Sequence, residues 1–218
     1  MCFSPEASFT SGFVLLGIGI ATLKFTKTKN QIPLALIPVF FGIQQITEGF
    51  IWLSLNSSPD GNQIATIIYT FFSHVFWPIY VPFAIYLLEK DKIRKNILMG
   101  FQALGLIVGI ILIYFLIKYP ITSQVINKSI NYNSAYPQLI WLPFAYIVAT
   151  CISCLFSSHK MINFFGVLGM VSAAAVFWVF SRTFVSVWCF VAAILSVVIF
   201  LHIFNENRLT KSHKSRQY

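Results

Sequence analysis

The chain has 218 residues, of which 57% are hydrophobic and 10% are charged, and its mean hydropathy is +0.78. A soluble domain carries about 25% charged residues, so this balance excludes one and indicates a protein that is mostly embedded in a membrane. The net charge of +9 fits attraction to anionic lipid and requires no nucleic acid partner.

Seven apolar segments of membrane-spanning length follow one another along the chain. Runs of roughly 20 apolar residues between polar breaks place them near residues 8–25, 32–55, 63–88, 95–117, 138–156, 161–181 and 183–204. The last two are joined so closely that we expect an antiparallel hairpin. The sequence therefore predicts an all-α integral membrane protein: one seven-helix transmembrane bundle over residues 1–204, followed by a basic cytoplasmic tail over 205–218.

The basic residues sort between alternate loops and predict the orientation. Twelve of the fifteen Lys and Arg residues fall on one side, and the other side receives Lys118, Lys128 and Arg182. The positive-inside rule then puts the N-terminus outside and the C-terminus inside the cytoplasmic membrane. The basic tail is expected to lie against anionic inner-leaflet lipid.

Two ionisable side chains deep in this apolar stack give the candidate functional site. From the rise of an α-helix, Glu48 lies about 10 Å below the outer end of its span and His74 about 16 Å below that of the next. Ionisable groups are costly inside a membrane and mark a functional site by default. We expect the two to approach within hydrogen-bonding reach, directly or through one water, and to act as acid and base, proton relay or metal ligands.

Polar and aromatic neighbours are predicted to share this layer. Gln44 and Gln45 lie on the helix face of Glu48. Trp77 is too deep for an interfacial tryptophan belt, and the adjacent Pro78 is expected to bend its span. The alternative interpretation is a buried polar contact that only holds helices together.

Residues near the membrane surfaces complete the set of candidates. Arg182 at the outer mouth is placed to clamp an anionic group or pair with Glu48, or it snorkels at the interface. Cys2 becomes N-terminal if Met1 is removed, and would then offer a nucleophile or a metal ligand. His202 is expected at the inner interface, hydrogen-bonded and partly wet, and is not chosen as a ligand.

Two further features concern packing and access. Gly105-x-x-x-Gly109 is a close-packing motif, used within one bundle or to form a homodimer. The outer connection from Lys118 to Pro137 is longer than most structureless loops, and it is predicted either to cover the outer mouth as a lid or to be disordered.

The N-terminus and the second span carry a family resemblance. The residues are MCFSPEASF at 1–9 and QQITEG at 44–49 with Trp52. Together they resemble an uncharacterised family of multi-pass bacterial membrane proteins, over the whole chain. The resemblance implies an integral protein of the bacterial inner membrane, and it implies no catalytic role.

Three classes of function remain open. The leading interpretation is a protein that binds a small ligand or ion in an outward-facing intramembrane pocket, as a transporter or sensor. The first alternative is an intramembrane enzyme, such as a metal-dependent lipid hydrolase, that uses Glu48 and His74, with Cys2 as a candidate nucleophile. The second is a structural assembly protein. No cofactor is identified, and the last span has no lysine for a retinal Schiff base.

Overall fold

The chain is mostly helical with one β-hairpin. The computed structural model describes residues 4–55, 57–137 and 139–215, with side chains described up to residue 206. The elements in chain order are α1 (Pro5–Phe25), α2 (Ile32–Ala35), α3 (Ile37–Ser54), α4 (Pro59–Thr70), α5 (Trp77–Leu88), α6 (Lys92–Lys118), β1 (Ile121–Ile126), β2 (Ser129–Ser134), α7 (Trp141–Ile147), α8 (Ser153–Leu155), α9 (Lys160–Phe180), α10 (Phe184–Leu195) and α11 (Val197–Ser215). Two π-helical segments, Phe71–Phe76 and Val148–Ile152, and two 3-10 turns, Lys29–Gln31 and Ser181–Thr183, join some of them.

Five helical segments of the described chain are long and apolar enough to cross a membrane, which is compatible with a membrane protein. They are Pro5–Phe25, Lys29–Ser54, Pro59–Leu88, Lys92–Lys118 and Lys160–Glu206. This count is lower than the predicted seven because Trp141–Leu155 is a shorter apolar helix and Lys160–Glu206 is counted once. The latter folds back on itself, since Trp188 Nε1 donates to the carbonyl of Gly169 at 3.2 Å. The expected antiparallel hairpin of helices is therefore formed.

The connections gather at two opposite ends of the bundle. At one end, which we call the hairpin end, Gln63 Nε2 donates to the carbonyl of Ile121 at 3.1 Å, and β2 packs against the turn Ser181–Thr183. At the other, Gln31 Nε2 donates to Glu206 at 2.9 Å. We call this second end the basic end, because its connections and adjoining helix ends carry Lys27, Lys29, Lys90, Lys92, Arg94, Lys95 and Lys160.

Helix α3, which carries Glu48, is held tightly against α1. A Cβ at Gly19 would lie 2.4 Å from Cγ2 of Val39, and one at Gly42 would lie 2.9 Å from the carbonyl oxygen of Gly12. Only glycine allows two helix backbones to approach this closely. The contact fixes α3 in the bundle, and with it the polar residues of α3.

The third helical segment is irregular just before Pro78, where the sequence predicts a bend. Proline lacks a backbone N–H, so a carbonyl one turn earlier has no helical donor, and residues Phe71–Phe76 are π-helical. Gly105 of α6 packs onto this region, since a Cβ there would lie 1.9 Å from the carbonyl oxygen of Pro78, and Gly109 faces Ile79. The glycine motif therefore serves packing within one chain, and its face is not open to a second copy.

The connection after α6 forms a β-hairpin, where we expected a lid without secondary structure or a disordered loop. Strands β1 and β2 pair antiparallel, with Ile126 opposite Ser129. The two turn residues, Asn127 and Lys128, have φ angles of 49° and 61°. Positive φ at both positions is typical of the type I′ turn, whose twist matches that of the flanking strands. The fold is thus not all-α in this segment.

Hydrogen bonds of Glu89 and Arg94 to the α8–α9 connection join the helices at the basic end, and we call this group the polar clasp. Glu89, which is 2% exposed, accepts hydrogen bonds from the backbone N–H groups of Lys90 (2.8 Å), Asp91 (3.0 Å) and Ser158 (2.7 Å) and from the hydroxyl of Ser158. Arg94 adds two hydrogen bonds to carbonyl oxygens of the same α8–α9 connection, at 3.2 and 3.1 Å. Burial by itself would raise the pKa of Glu89, but the hydrogen bonds outweigh it and lower the pKa to about 2.

The clasp predicts a pH-dependent contribution to stability. A carboxyl whose pKa is lower in the folded than in the unfolded state stabilises the fold above its unfolded pKa, and that contribution is lost as pH falls through the folded pKa. We expect Glu89→Gln to lower the free energy of unfolding by on the order of 2 kcal/mol at pH 7. The difference should shrink below about pH 4.5 and vanish near pH 2.

Denaturant unfolding of the purified protein in detergent, at several pH values, measures this difference. Ser158→Ala, which removes only the hydroxyl donor, should cost less. A gap between Glu89→Gln and the parent that is the same at pH 3 and pH 7 would contradict the assignment.

Candidate functional site

Glu48 lies in a buried polar cluster beneath the hairpin. Its side chain is 0% exposed, and Oε1 accepts hydrogen bonds from Ser186 Oγ of α10 at 2.6 Å and from the hydroxyl of Tyr132 of β2 at 3.3 Å. The Tyr132 ring stacks on that of Tyr69 of α4, with 4.5 Å between centroids. The carboxylate is therefore enclosed by three helices and one strand.

The hairpin is latched onto α4 by side-chain hydrogen bonds. Thr66 Oγ1 donates to Ser123 Oγ at 3.0 Å, and Ser123 donates to Asn62 Oδ1 at 2.9 Å. Ile130 of β2 is fully buried in the same cluster as Tyr69. The hairpin thus covers Glu48 from the hairpin end of the molecule, in the place where the sequence analysis considered a lid.

Four residues of α3 carry buried polar atoms that face the interior without a hydrogen-bond partner among the described residues. We call them the α3 polar row, and the atoms are Gln44 Nε2, Gln45 Nε2, Glu48 Oε2 and Trp52 Nε1. Trp77 Nε1 donates to Gln44 Oε1 at 2.8 Å, and because an indole can only donate, this contact fixes the orientation of the Gln44 amide. The row therefore presents three donors and one acceptor to the interior.

A cavity of about 50 Å³ is bordered by Trp77 and Cys189 and reaches Gly166 and Gly169 of α9, and none of the four residues of the row lines it. Its lining is almost entirely apolar, and a cavity of that kind does not hold water or a polar group. Cys189 follows Ser186 by one helical turn and packs in the buried cluster around Tyr69.

The structure brings some of the predicted site residues together. Gln44 and Trp77 are hydrogen-bonded to each other, as given above, and Gln45 accepts a hydrogen bond from Ser11 Oγ of α1 at 3.5 Å. Gln44, Gln45 and Glu48 are each 0% exposed. The predicted layer of polar groups on α3 is therefore buried and faces neighbouring helices.

His74 does not join Glu48. Its Nδ1 lies 2.8 Å from the Ser73 hydroxyl, and no hydrogen bond links it to Glu48 in the described part of the chain. The expected direct contact depended on extending a regular helix inward from Gln63. Residues Phe71–Phe76 are instead π-helical, so the positions of their side chains depart from those of a regular α-helix.

Two other predicted residues lie outside the cluster. Arg182 is exposed in the turn Ser181–Thr183, and it makes no ion pair with Glu48 among the described side chains. Cys2 lies outside the described residues. The geometry therefore gives no support to Arg182 as an anion clamp or to Cys2 as a nucleophile.

Two hydrogen-bond partners of Glu48, Tyr132 and Ser186, were not predicted from the sequence, nor was the Tyr69 ring that stacks on Tyr132. Tyr69 lies six residues inside its span and Glu48 seven inside its own, so equal depth was a usable signal. Tyr132 was hidden in a segment treated as a loop, although its β-branched and aromatic residues around Asn127 and Lys128 are typical of a hairpin. Ser186 carried no signal beyond its place in an apolar helix.

Comparison with known proteins gives a family. The model described as "Family of unknown function (DUF6629)" matches residues 1–215. No curated protein and no solved structure matches the chain. The expected membership in an uncharacterised family is confirmed, and because the match covers nearly all of the sequence, the chain belongs to the DUF6629 family.

Proposed function

We propose that this chain is an integral protein of the bacterial cytoplasmic membrane that binds a small polar ligand or ion at the α3 polar row, as a transporter or sensor. Seven crossings are supported by the apolar helices. They are the four segments before residue 120, the short helix Trp141–Leu155 and the two legs of Lys160–Glu206. The concentration of basic residues at one end supports the placement of that end in the cytoplasm and of the hairpin end outside.

The observation that carries the proposal is the environment of the Glu48 carboxylate. One oxygen, Oε1, is held by Ser186 and Tyr132, whereas Oε2 is buried and has no hydrogen-bond partner among the described residues. Leaving such a group unpaired costs about 1–3 kcal/mol, and more when it is charged. A contact that only holds helices together could avoid this free-energy cost by using a neutral side chain. In a binding site, the ligand removes the cost by pairing with Oε2.

The donors and acceptors of the row indicate the chemistry of the ligand. Glu48 Oε2 would accept from an ammonium or hydroxyl group or coordinate a cation. The N–H groups of Gln44, Gln45 and Trp52 would donate to oxygen atoms. A small molecule with one donor or positive group and one or more acceptor oxygens satisfies all four.

Binding is favoured over catalysis. The enzyme considered from the sequence needs a nucleophile or a metal ligand next to Glu48. His74, one candidate for that role, is hydrogen-bonded to Ser73, and no hydrogen bond joins it to Glu48 in the described part of the chain. The hairpin, by contrast, gives the site a cover that reaches the carboxylate itself through Tyr132.

The topology is tested by accessibility of introduced cysteines. In a chain with Cys2 replaced by serine, single cysteines at Ser57 and at the C-terminal Tyr218 should react with a membrane-impermeant maleimide from opposite sides of the cell membrane. The external reagent should label the Ser57 position in intact cells, and the Tyr218 position only after permeabilisation. Labelling of both positions from the same side would refute an odd number of crossings between them.

The ligand site is tested by a thermal-stability screen of purified protein. The panel contains amino acids, small amines, polyamines, monovalent cations and divalent cations. A compound present at a hundredfold excess over its Kd should stabilise the parent by about 2.7 kcal/mol. Glu48→Gln should abolish that stabilisation, since the amide cannot receive a positive group as a carboxylate does.

Glu89→Gln is the matched control, because it alters a buried carboxylate at the opposite end of the molecule. It should lower basal stability and leave the response to the compound intact. If Glu48→Gln changes basal stability while the parent responds to no compound, the polar row only holds helices together. Equal stabilisation of the parent and Glu48→Gln would place the ligand elsewhere.

A further inference from the structure

Three side chains with metal-binding chemistry meet at the basic end, far along the bundle from Glu48. His159 Nδ1 lies 3.4 Å from Glu206 Oε1, and His202 Nε2 lies 4.0 Å from Glu206 Oε2. One ligand atom from each of the three lies within 4.8 Å of the others. The rings of His159 and His202 are 4.9 Å apart and tilted by 69°, so they converge without stacking.

The backbone explains why the three meet. His202 and Glu206 are four residues apart on α11, which places them on the same face of the helix. His159 is the residue just before α9. Because α9 and the α10–α11 leg run antiparallel, the start of α9 lies beside the part of α11 that carries His202 and Glu206. Side chains separated by more than forty positions in sequence thus arrive at one point.

The environment of His202 is the strongest indication that the cluster binds a ligand. This residue is 6% exposed, and Nε2 is buried without a hydrogen-bond partner among the described residues. This differs from the partly wet, hydrogen-bonded interfacial histidine expected from the sequence. An imidazole nitrogen aimed into a cluster with a second imidazole and a carboxylate is arranged for coordination.

A fourth residue holds the carboxylate in place. Gln31 Oε1 accepts hydrogen bonds from the backbone N–H groups of Lys27 (3.0 Å) and Thr28 (3.2 Å), which leaves its Nε2 to donate to Glu206 Oε2 at 2.9 Å. Outer partners of this kind orient metal-binding carboxylates and are common around metal sites. The cluster therefore has both the ligands and a support for them.

We propose that His159, His202 and Glu206 form a binding site for a divalent transition-metal ion of the Zn²⁺ class. A tetrahedral Zn²⁺ with bonds of about 2.0–2.1 Å holds its ligand atoms about 3.4 Å apart. With one ligand atom from each residue, the three atoms lie within 4.8 Å of one another, so the largest separation must contract by up to about 1.4 Å when an ion binds. Two imidazoles exclude Ca²⁺ and Mg²⁺ as preferred ions, because these take oxygen ligands.

The site is independent of the proposed function at Glu48. Two His ligands and one carboxylate leave one tetrahedral position for water or an exchangeable group. A bound ion would also tie the end of the apolar part of α11 to the start of α9 and, through Gln31, to the α1–α2 connection. Metal loading would therefore set the position from which the basic tail begins.

The test uses Zn²⁺ and Co²⁺ themselves on the purified full-length chain, carried on an affinity tag without histidine and stripped with a chelator. The parent should bind one ion per chain, and the Co²⁺ form should show the intense visible absorption of a four-coordinate ion. Glu206→Gln and His202→Ala should weaken binding at least 100-fold. Gln31→Ala should weaken it about 10–100-fold by releasing the carboxylate.

His74 provides a matched control. His74→Ala should leave stoichiometry and affinity unchanged, because this histidine contacts Ser73 and does not belong to the cluster. If His202→Ala does not fold, Glu206→Gln and Gln31→Ala decide the question, since Glu206 and Gln31 are both only half-buried. A parent that binds no ion, or a Glu206→Gln variant that binds as the parent does, overturns the proposal.

Discussion

A carboxylate cannot remain inside an apolar bundle without groups that donate hydrogen bonds to it or a charge that balances it. The half of this molecule next to the hairpin is arranged around the carboxylate of Glu48. The glycine contacts between α1 and α3 fix the helix that carries it. Ser186 and Tyr132 approach it from α10 and β2. The result is a site whose one open oxygen faces the interior and whose cover is a segment outside the helices.

That cover has little stability of its own. A two-stranded hairpin is marginal in isolation, so this one depends on contacts with the bundle: the stacking of Tyr132 on Tyr69, the burial of Ile130 and the hydrogen bonds from Thr66 to Ser123 and from Ser123 to Asn62. Most of these contacts are to α4. Opening therefore requires separation of the hairpin from α4, from α10 and from the turn Ser181–Thr183, together with loss of the Tyr132 hydrogen bond.

The parts of this architecture that follow from local pattern were predictable from the sequence. Apolar runs located the helices, and burial of Gln44, Gln45 and Glu48 followed from their depth and shared face. A direct Glu48–His74 hydrogen bond is not formed among the described residues, and His74 lies in a π-helical segment, where a regular α-helix was extrapolated. The His159–His202–Glu206 cluster was also out of reach. Its members come from separate helices, and only the antiparallel packing of α9 with the α10–α11 leg brings them together.

If the hairpin controls access to Glu48, a disulfide between the hairpin and α4 should slow the reaction of the Glu48 carboxylate with water-soluble reagents. Thr66 Oγ1 and Ser123 Oγ are 3.0 Å apart, so cysteines at these positions, in a chain with Cys2 replaced by serine, are placed to cross-link. The rate at which a water-soluble carbodiimide modifies Glu48 is followed by mass spectrometry, with the exposed Asp60 as internal reference. We predict that the oxidised form reacts at Glu48 at least tenfold more slowly than the reduced form, while Asp60 reacts equally in both. Equal rates at Glu48 with and without the cross-link would contradict the account.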